Sequence, residues 1–244
     1  MSKPTTIRLD KLLANLGYGS RREIAMFAQA GRFLLDGARI AHVDERIALT
    51  PDLPARLTFY GEELDPLPGC VVMMHKPLGV TCSHKEAGTR VYSLLPDRWQ
   101  RRDPAFSTVG RLDKETSGLL LLTDDGAFLH NVISPKRNIA KRYRATLDRS
   151  LRGDETAIFA AGTMMLEGEK TPLLPAALDV VSEREAMLTI TEGRYHQVRR
   201  MFAATGNHVE TLHRESLGGL SLPDGMAPGQ WKLLREDEIA LIFQ

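Results

Sequence analysis

The chain has 244 residues, 43% of them hydrophobic, which is enough apolar material for an ordinary folded core and excludes a disordered chain. Lys and Arg total 32 against 31 Asp and Glu, a formal charge of +1, so a nucleic-acid partner would have to be held by local patches and not by bulk attraction. The most apolar run, Leu119 to Leu122, falls far short of the roughly 20 residues of a membrane-crossing helix, and no basic segment leads into a long apolar one; the expectation is a cytoplasmic protein with no membrane partner.

Residues 1–62 read as a small separate module. Leu9, Leu12, Leu13 and Leu16 recur at helical spacing, and Gly17 stands where that helix would end. A second helix starts at once, because Ser20 and Glu23 have the form of a capping box, Ile24, Phe27 and Ala28 give an apolar face, and Gly31 supplies a stop. Asp36-Gly37 between Phe33–Leu35 and Ala38–Ile40 then predicts a tight hairpin. Arg21 and Arg22 fall in the first turn of the second helix, where the dipole already presents positive charge. Either Glu23 and solvent screen them, or an RNA phosphate docks there.

Residues 63–69 combine acidic residues, two prolines and a glycine, and are read as a linker. From Cys70 to Gln244 short β-like runs alternate with a few helices, as in an α+β domain with a mixed or largely antiparallel sheet. Cys70 and Cys82, the two cysteines, lack the spacing of a zinc site or a disulfide framework. The strand candidate Val71–Met74 runs into His75-Lys76-Pro77-Leu78-Gly79, which leaves Lys76 at a strand end, either in a merely structural turn or facing a phosphate.

The segment with most chemistry lies between two strand-like runs, Phe106–Val109 and Leu119–Thr123. They flank a polar loop bounded by Gly110 and Gly118, with Asp113 at its middle. Arg111 and Lys114 beside it favour the carboxylate form that a nucleophile or base requires. Asp124 and Asp125 precede Gly126 and a helical run, so turn formation and capping account for them. Between His130 and Arg152 the chain carries Lys136, Arg137, Lys141, Arg142, Arg144, Arg149 and Arg152 against Asp148, a basic stripe that is either balanced by carboxylates elsewhere or meets a polyanion. Lys141–Leu147 reads as a strand with basic alternate positions. Val198, Met201 and Phe202 are spaced like the buried stripe of a helix that Gly206 ends, and Arg199 projects differently from them. His196 has no second histidine or carboxylate at ligand spacing on that helix, which argues against a metal.

Gly110-Arg111-Leu112-Asp113, then Thr116, Gly118 and the leucine strand ending in Thr123-Asp124-Asp125-Gly126, resemble the signature of the bacterial pseudouridine synthases that modify ribosomal RNA. Glu192-Gly193-Arg194-Tyr195-His196-Gln197-Val198-Arg199-Arg200-Met201-Phe202 resembles that superfamily's later motif, and Lys76-Pro77 with Gly79 an earlier one. The first module resembles the alpha-L RNA-binding domain. Gly206-Asn207-His208-Val209 and Leu212-His213-Arg214-Glu215 are similar to the branch acting on 16S rRNA.

The resemblance implies an α+β chain with an alpha-L domain over 1–62, a linker over 63–69 and a catalytic domain over 70–244. It implies isomerisation of a uridine in 16S rRNA, at uridine 516, with no cofactor and no metal. A large-subunit (23S) target and a non-catalytic RNA-binding assembly factor are the alternatives. Asp113 takes the catalytic carboxylate's place, Tyr143 stacks on the flipped base, and Arg199 pairs with Asp113 and orients it. Leu217 walls the uracil pocket. Arg21, Arg22, Lys76, Arg111, Lys141, Arg194, His196, Gln197 and Arg200 are the candidate RNA contacts, some of which would order loops instead. The expected partner is ribosomal RNA, in a small-subunit assembly intermediate, bound by a monomer.

Overall fold

Residues 5–244 are described by a computed structural model, which divides them into two units. The first unit runs to Cys70 and also takes in Leu95–Ser107 and Thr123–Asp125, two segments that the sequence reading had placed in the second domain. Its elements are β1 (Thr6–Arg8), α1 (Leu9–Asn15), α2 (Arg21–Gln29), β2 (Phe33–Leu35), β3 (Ala38–Arg39), β4 (Arg46–Ala48), α3 (Leu53–Arg56), β5 (Leu57–Phe59) and β6 (Glu62–Glu63). Leu9, Leu12, Leu13 and Leu16 are all buried, together with Ile24 and Ala28 of α2, so the two helices share one core against Phe33 and Leu57. The Ser20–Glu23 capping box is formed at the start of α2. Asp36 and Gly37 both hold positive φ, 51° and 79°, the geometry of the tight turn that Asp-Gly favours.

The stretch read as a linker is packed into this unit. Leu64 is buried, and the Tyr18 hydroxyl accepts the Asp65 N–H at 2.9 Å while burial pushes the Tyr18 phenol up to about 12. Asp65 accepts two bonds from Arg98, whose guanidinium lies 4.3 Å over the Tyr18 ring. The partners come from a segment remote in sequence, which composition alone cannot reveal.

Asp124 also departs from the capping role expected of it. Its side chain and that of Arg102 are each 1% exposed and joined at 2.7 Å; the Gly69 N–H donates to the carboxylate's other oxygen at 2.8 Å, and the Pro66 carbonyl accepts from Arg102 at 2.9 Å. A buried charge pair needs this surrounding set of bonds, because Coulomb attraction alone does not offset its desolvation.

In the second unit the elements are β7 (Val71–Lys76), β8 (Ser107–Thr108), β9 (Ser117–Thr123), α4 (Gly126–Ile133), β10 (Lys141–Leu147), α5 (Glu155–Ala160), β11 (Ala177–Ser182), β12 (Glu185–Ile190), α6 (Gln197–Ala204), β13 (Val209–Leu217), β14 (Leu220–Ser221), β15 (Trp231–Leu233) and α7 (Glu236–Leu241); β8 and β9 each run across the boundary by one residue. Among the described residues these strands form a nine-stranded sheet in the order β11-β12-β10-β13-β9-β7-β15, with β14 on β13 and β8 on β9. It is mixed: β13 pairs β9 in parallel, whereas β10 is antiparallel to both β12 and β13. Leu119 to Leu122 are fully buried, which explains a continuous apolar run in place of alternation. At the parallel pairing Gly118 faces Arg214, and a Cβ at 118 would lie 2.2 Å from the Arg214 carbonyl oxygen. Only glycine permits that approach. No described helix is long and apolar enough to cross a membrane.

Replacing Asp124 with Ala strands the Arg102 guanidinium in the core, and stability should fall by about 3–5 kcal/mol. Urea unfolding measures this, and a loss below about 1 kcal/mol would show that the pair is not confined as described.

Candidate active site

A cavity of about 470 Å³ opens in the second unit, bounded by the 109–116 loop, the ends of β10, β12 and β13, and the 191–199 segment that leads into α6. Asp113, Tyr143, Arg199 and Leu217 all line it, so residues spread over a hundred positions converge on one space. Tyr143 and Leu217 are buried, and with Val198 and Leu212 they give the cavity an apolar wall. Such a surface suits the face of a planar base. Asp113 is about two-fifths exposed, within reach of a ligand.

The loop that carries Asp113 is fixed through its backbone. Thr116 N–H donates to the Asp113 carbonyl at 3.0 Å and closes a turn. Lys76, fully buried at the end of β7, donates to the carbonyls of Thr116 at 2.8 Å, Pro77 at 3.0 Å and Lys114 at 3.4 Å. The Gly79 N–H adds a second bond to Lys114. Burial lowers the Lys76 ammonium, with the charges of Cys82, Glu115 and Asp113 acting against that fall. The Lys76 donors thus face main-chain oxygens and none of its surface meets solvent, in place of the outward, phosphate-facing position expected of it.

Arg199 corrects the expected pairing in a similar way. Its guanidinium donates to the carbonyls of Glu115 and Val209, each at 2.7 Å, and makes no ion pair with Asp113. His196 stands beside the carboxylate instead, its Nε2 lying 3.3 Å from Oδ1. It occupies a left-handed position at the N-cap of α6, φ 48°, and its ring stacks on that of Tyr195 at 3.8 Å, leaving Tyr195 exposed.

The other candidate RNA contacts divide. Arg194 binds Glu192, Glu169 and the carbonyls of Thr171 and Pro172, and Arg200 binds Glu169 and the carbonyls of Tyr195 and Glu167. Both tie the 167–172 segment to the turn before α6, so their polar groups are engaged within the fold. Gln197 is buried; its amide donates to Glu192 and its carbonyl accepts the Arg194 N–H. Arg111 stays exposed at the cavity rim, paired with Glu86. Lys141 lines the cavity and donates to the Ile139 carbonyl; burial first, then the charge of Arg214, pull its ammonium down to about 8.

The basic run is largely neutralised within the unit. Arg142 pairs with Asp179, Arg144 with Glu185 and Glu215, Arg149 with Asp148, and Arg152 with Asp154. In the first unit Arg21 is half exposed but bound to Asp10, which also takes Arg8. Burial pushes the Asp10 carboxyl up, yet the bonds from the two arginines outweigh it and hold it below its ordinary value. Arg22 is exposed. The positive end of α2 thus has its own carboxylates, Asp10 and Glu23, and an anion is not needed to relieve it.

Arg214 and Thr116, quoted in the motifs but given no role from sequence, also line the cavity. Arg214 is 2% exposed; its Nε donates to the Leu119 carbonyl at 2.7 Å, and its Nη2 has no partner among the described residues. The Thr116 hydroxyl, on a residue 1% exposed, likewise has no partner among the described residues. The available signal was strand phase: Arg214 shares the inward face of β13 with Leu212, where an arginine is anomalous.

Among the described residues there is no group of three or more His, Cys, Asp or Glu that would hold a metal ion. Residues 70–204 match the family model described as RNA pseudouridylate synthase, and residues 7–48 match the S4 domain. The ribosomal small subunit pseudouridine synthase A of Vibrio cholerae is 39% identical to this chain over 98% of its length and 100% of the relative's. That of Escherichia coli is 37% identical over 97% and 100%, and an uncharacterized RNA pseudouridine synthase of Bacillus subtilis is 38% identical over 97% and 98%. A crystal structure of a pseudouridylate synthase aligns over 97% of this chain and 99% of that one with a TM-score of 0.67 at 32% identity.

Two measurements probe this geometry. Lys76→Met removes the donor to three carbonyls, and urea unfolding should show a loss of at least about 1–3 kcal/mol; an unchanged midpoint would mean the loop is held otherwise. For Lys141 the sign follows from proton counts. Between about 8 and its ordinary 10.5 the unfolded chain binds more protons than the folded one, so stability rises with pH through that window, and the charged folded form is penalised below it. Lys141→Met should therefore raise the thermal midpoint more at pH 7 than at pH 10; equal shifts at both would refute the burial.

Proposed function

This chain belongs to the RNA pseudouridylate synthase family, with an S4 domain ahead of the catalytic one, and from that premise we propose that it isomerises a specific uridine of small-subunit (16S) ribosomal RNA, uridine 516. The observation that carries the reading is the meeting of Asp113, Tyr143 and Leu217 in one cavity, in a chain alike along its whole length to synthases named for the small subunit.

The reaction breaks the C1′–N1 bond, turns the uracil and rejoins it through C5. No oxidation or hydrolysis is involved, so the residues have to supply a carboxylate near the ribose, a pocket for the freed base and an extruded nucleotide. In this reading Asp113 is the carboxylate that attacks the sugar or the base, or takes a sugar proton. Tyr143 lies against the base, and Leu217 belongs to the apolar wall of its pocket. Arg199 and Lys76 act at one remove, by holding the backbone on which Asp113 sits. Arg111, Lys141 and His196 are the cavity residues left to meet the RNA, and Arg22 with Arg21 the outward cations of the S4 domain. The partner is ribosomal RNA in an assembling small-subunit particle, bound by a monomer. A chain carrying almost no net charge gains little from naked polyanion, which supports particle recognition.

Asp113→Asn should lower pseudouridine formation at least about 10³-fold while RNA affinity stays within about threefold. Chemical mapping of both ribosomal RNAs in a deletion strain, complemented with wild type or with this variant, reads the outcome. One 16S position should lose its modification and regain it with wild type only. Loss of a 23S site would assign the large-subunit target instead, and restoration by Asp113→Asn would remove Asp113 from the chemistry.

A further inference from the structure

Arg214 is a permanent cation in a place that should not tolerate one unpaired. The guanidinium does not deprotonate in proteins, it is 2% exposed, and its Nη2 has no partner among the described residues. Nor is the residue loosely placed. Its Nε is pinned to the Leu119 carbonyl, it stands directly across from Tyr143 in the β10–β13 register, and on its other side the absent side chain of Gly118 leaves its backbone room. The Thr116 hydroxyl, 1% exposed and also without a partner, lines the same cavity from the Asp113 loop. Two buried polar groups without a partner among the described residues, both on residues that line one cavity, indicate that a ligand completes them.

Resting on the synthase reading above, we infer that Arg214 Nη2 donates to a uracil carbonyl oxygen of the extruded nucleotide, with the Thr116 hydroxyl bonding the same polar edge, and that Arg214 stabilises the charge which develops there. The electron balance of the reaction places negative charge where such a group would act. When C1′–N1 breaks, the bonding pair leaves with the base, and the negative charge spreads over N1 and the carbonyl oxygens. If Asp113 instead adds to the ring, the displaced pair again ends on a carbonyl oxygen. The charge is consumed when C5 bonds to C1′; the C5 proton is then lost and N1 gains one, so no oxidant or reductant enters. A fixed guanidinium aimed at that oxygen is stronger toward the anion than toward the neutral base, which is the condition for accelerating the step and not merely binding the substrate. Its position beside Tyr143, on the apolar wall, favours the base over a phosphate, because phosphates remain with the RNA backbone.

The test uses the full chain in single turnover on 16S rRNA from a deletion strain, carrying tritium at uridine C5, both free and in its particles. Tritium release reports the loss of the C5 proton. Arg214→Gln should slow release roughly 10²–10³-fold with RNA affinity and its salt slope unchanged. Arg214→Lys should retain part of the rate, as a point charge without the planar fork. Thr116→Val should be about tenfold slower with a thermal midpoint at or above wild type, because the hydroxyl it removes has no partner to lose. The inference is overturned if Arg214→Gln reacts within about threefold of wild type. A weaker affinity with the salt slope reduced by about one would make Arg214 a phosphate contact, and recovery of Arg214→Gln at alkaline pH would mean that it acts through Asp113; either result overturns it. Should both Arg214 variants fold poorly, a wild-type rate in Thr116→Val decides against it. If wild type itself releases no tritium from either form of the RNA, the proposed target fails and takes this inference with it, an outcome distinct from every variant effect.

Discussion

An ammonium group sealed away from water, answered by the carbonyl next to it in sequence and by main-chain oxygens of the Asp113 loop, is the constraint on which the catalytic unit is built. Lys76 ends β7 and binds the carbonyls at 77, 114 and 116; Arg199 arrives from α6 and takes the carbonyl at 115. Three successive carbonyls after Asp113 are thus held by cations from elements far apart in sequence. The gain is positional. A carboxylate on a mobile loop would sample many orientations, whereas one on a clamped loop keeps few; if Asp113 acts at the ribose as proposed, misplacement of about 1 Å would be expensive in rate. Neither clamp touches the carboxylate itself, which stays accessible beside His196.

The same economy governs the remaining charge. Most arginines of the basic run, and those of the motif that runs into α6, are engaged by carboxylates or carbonyls of their own unit. A charge inventory from sequence therefore overstates the attraction that RNA would feel. What is left around the cavity is sparse: Arg111 at the rim, Lys141 weakened by burial, and Arg214 within. A sparse, deep set of donors suits recognition of one extruded nucleotide better than tracking of a long backbone.

Much of this was legible in the sequence, because local rules specify it. The Ser20–Glu23 box, the Asp36-Gly37 turn, the apolar stripe of α6 and the burial of Leu119 to Leu122 depend on neighbours a few positions away. The convergence of Asp113, Tyr143, Arg199 and Leu217 was implied by likeness of motif, and the cavity contains all four. What stayed hidden were partnerships across long separations: Lys76 turned inward, Arg199 on a carbonyl and not on the acid, Asp124 bound to Arg102, and Asp65 bound to Arg98. A lysine at a strand end looks the same in sequence whether it meets phosphate or carbonyl. Arg214 was overlooked for the same reason, since its meaning lies in the donor left over once the fold has used the others.

The most direct test of the clamp is a crystal structure of the chain bound to RNA that presents its target uridine. The account predicts the nucleotide in the cavity with its ribose against Asp113, while Lys76 and Arg199 remain on the carbonyls of residues 114 to 116. An Arg199–Asp113 ion pair with the Glu115 carbonyl released, or a uridine lodged away from this loop, would contradict it.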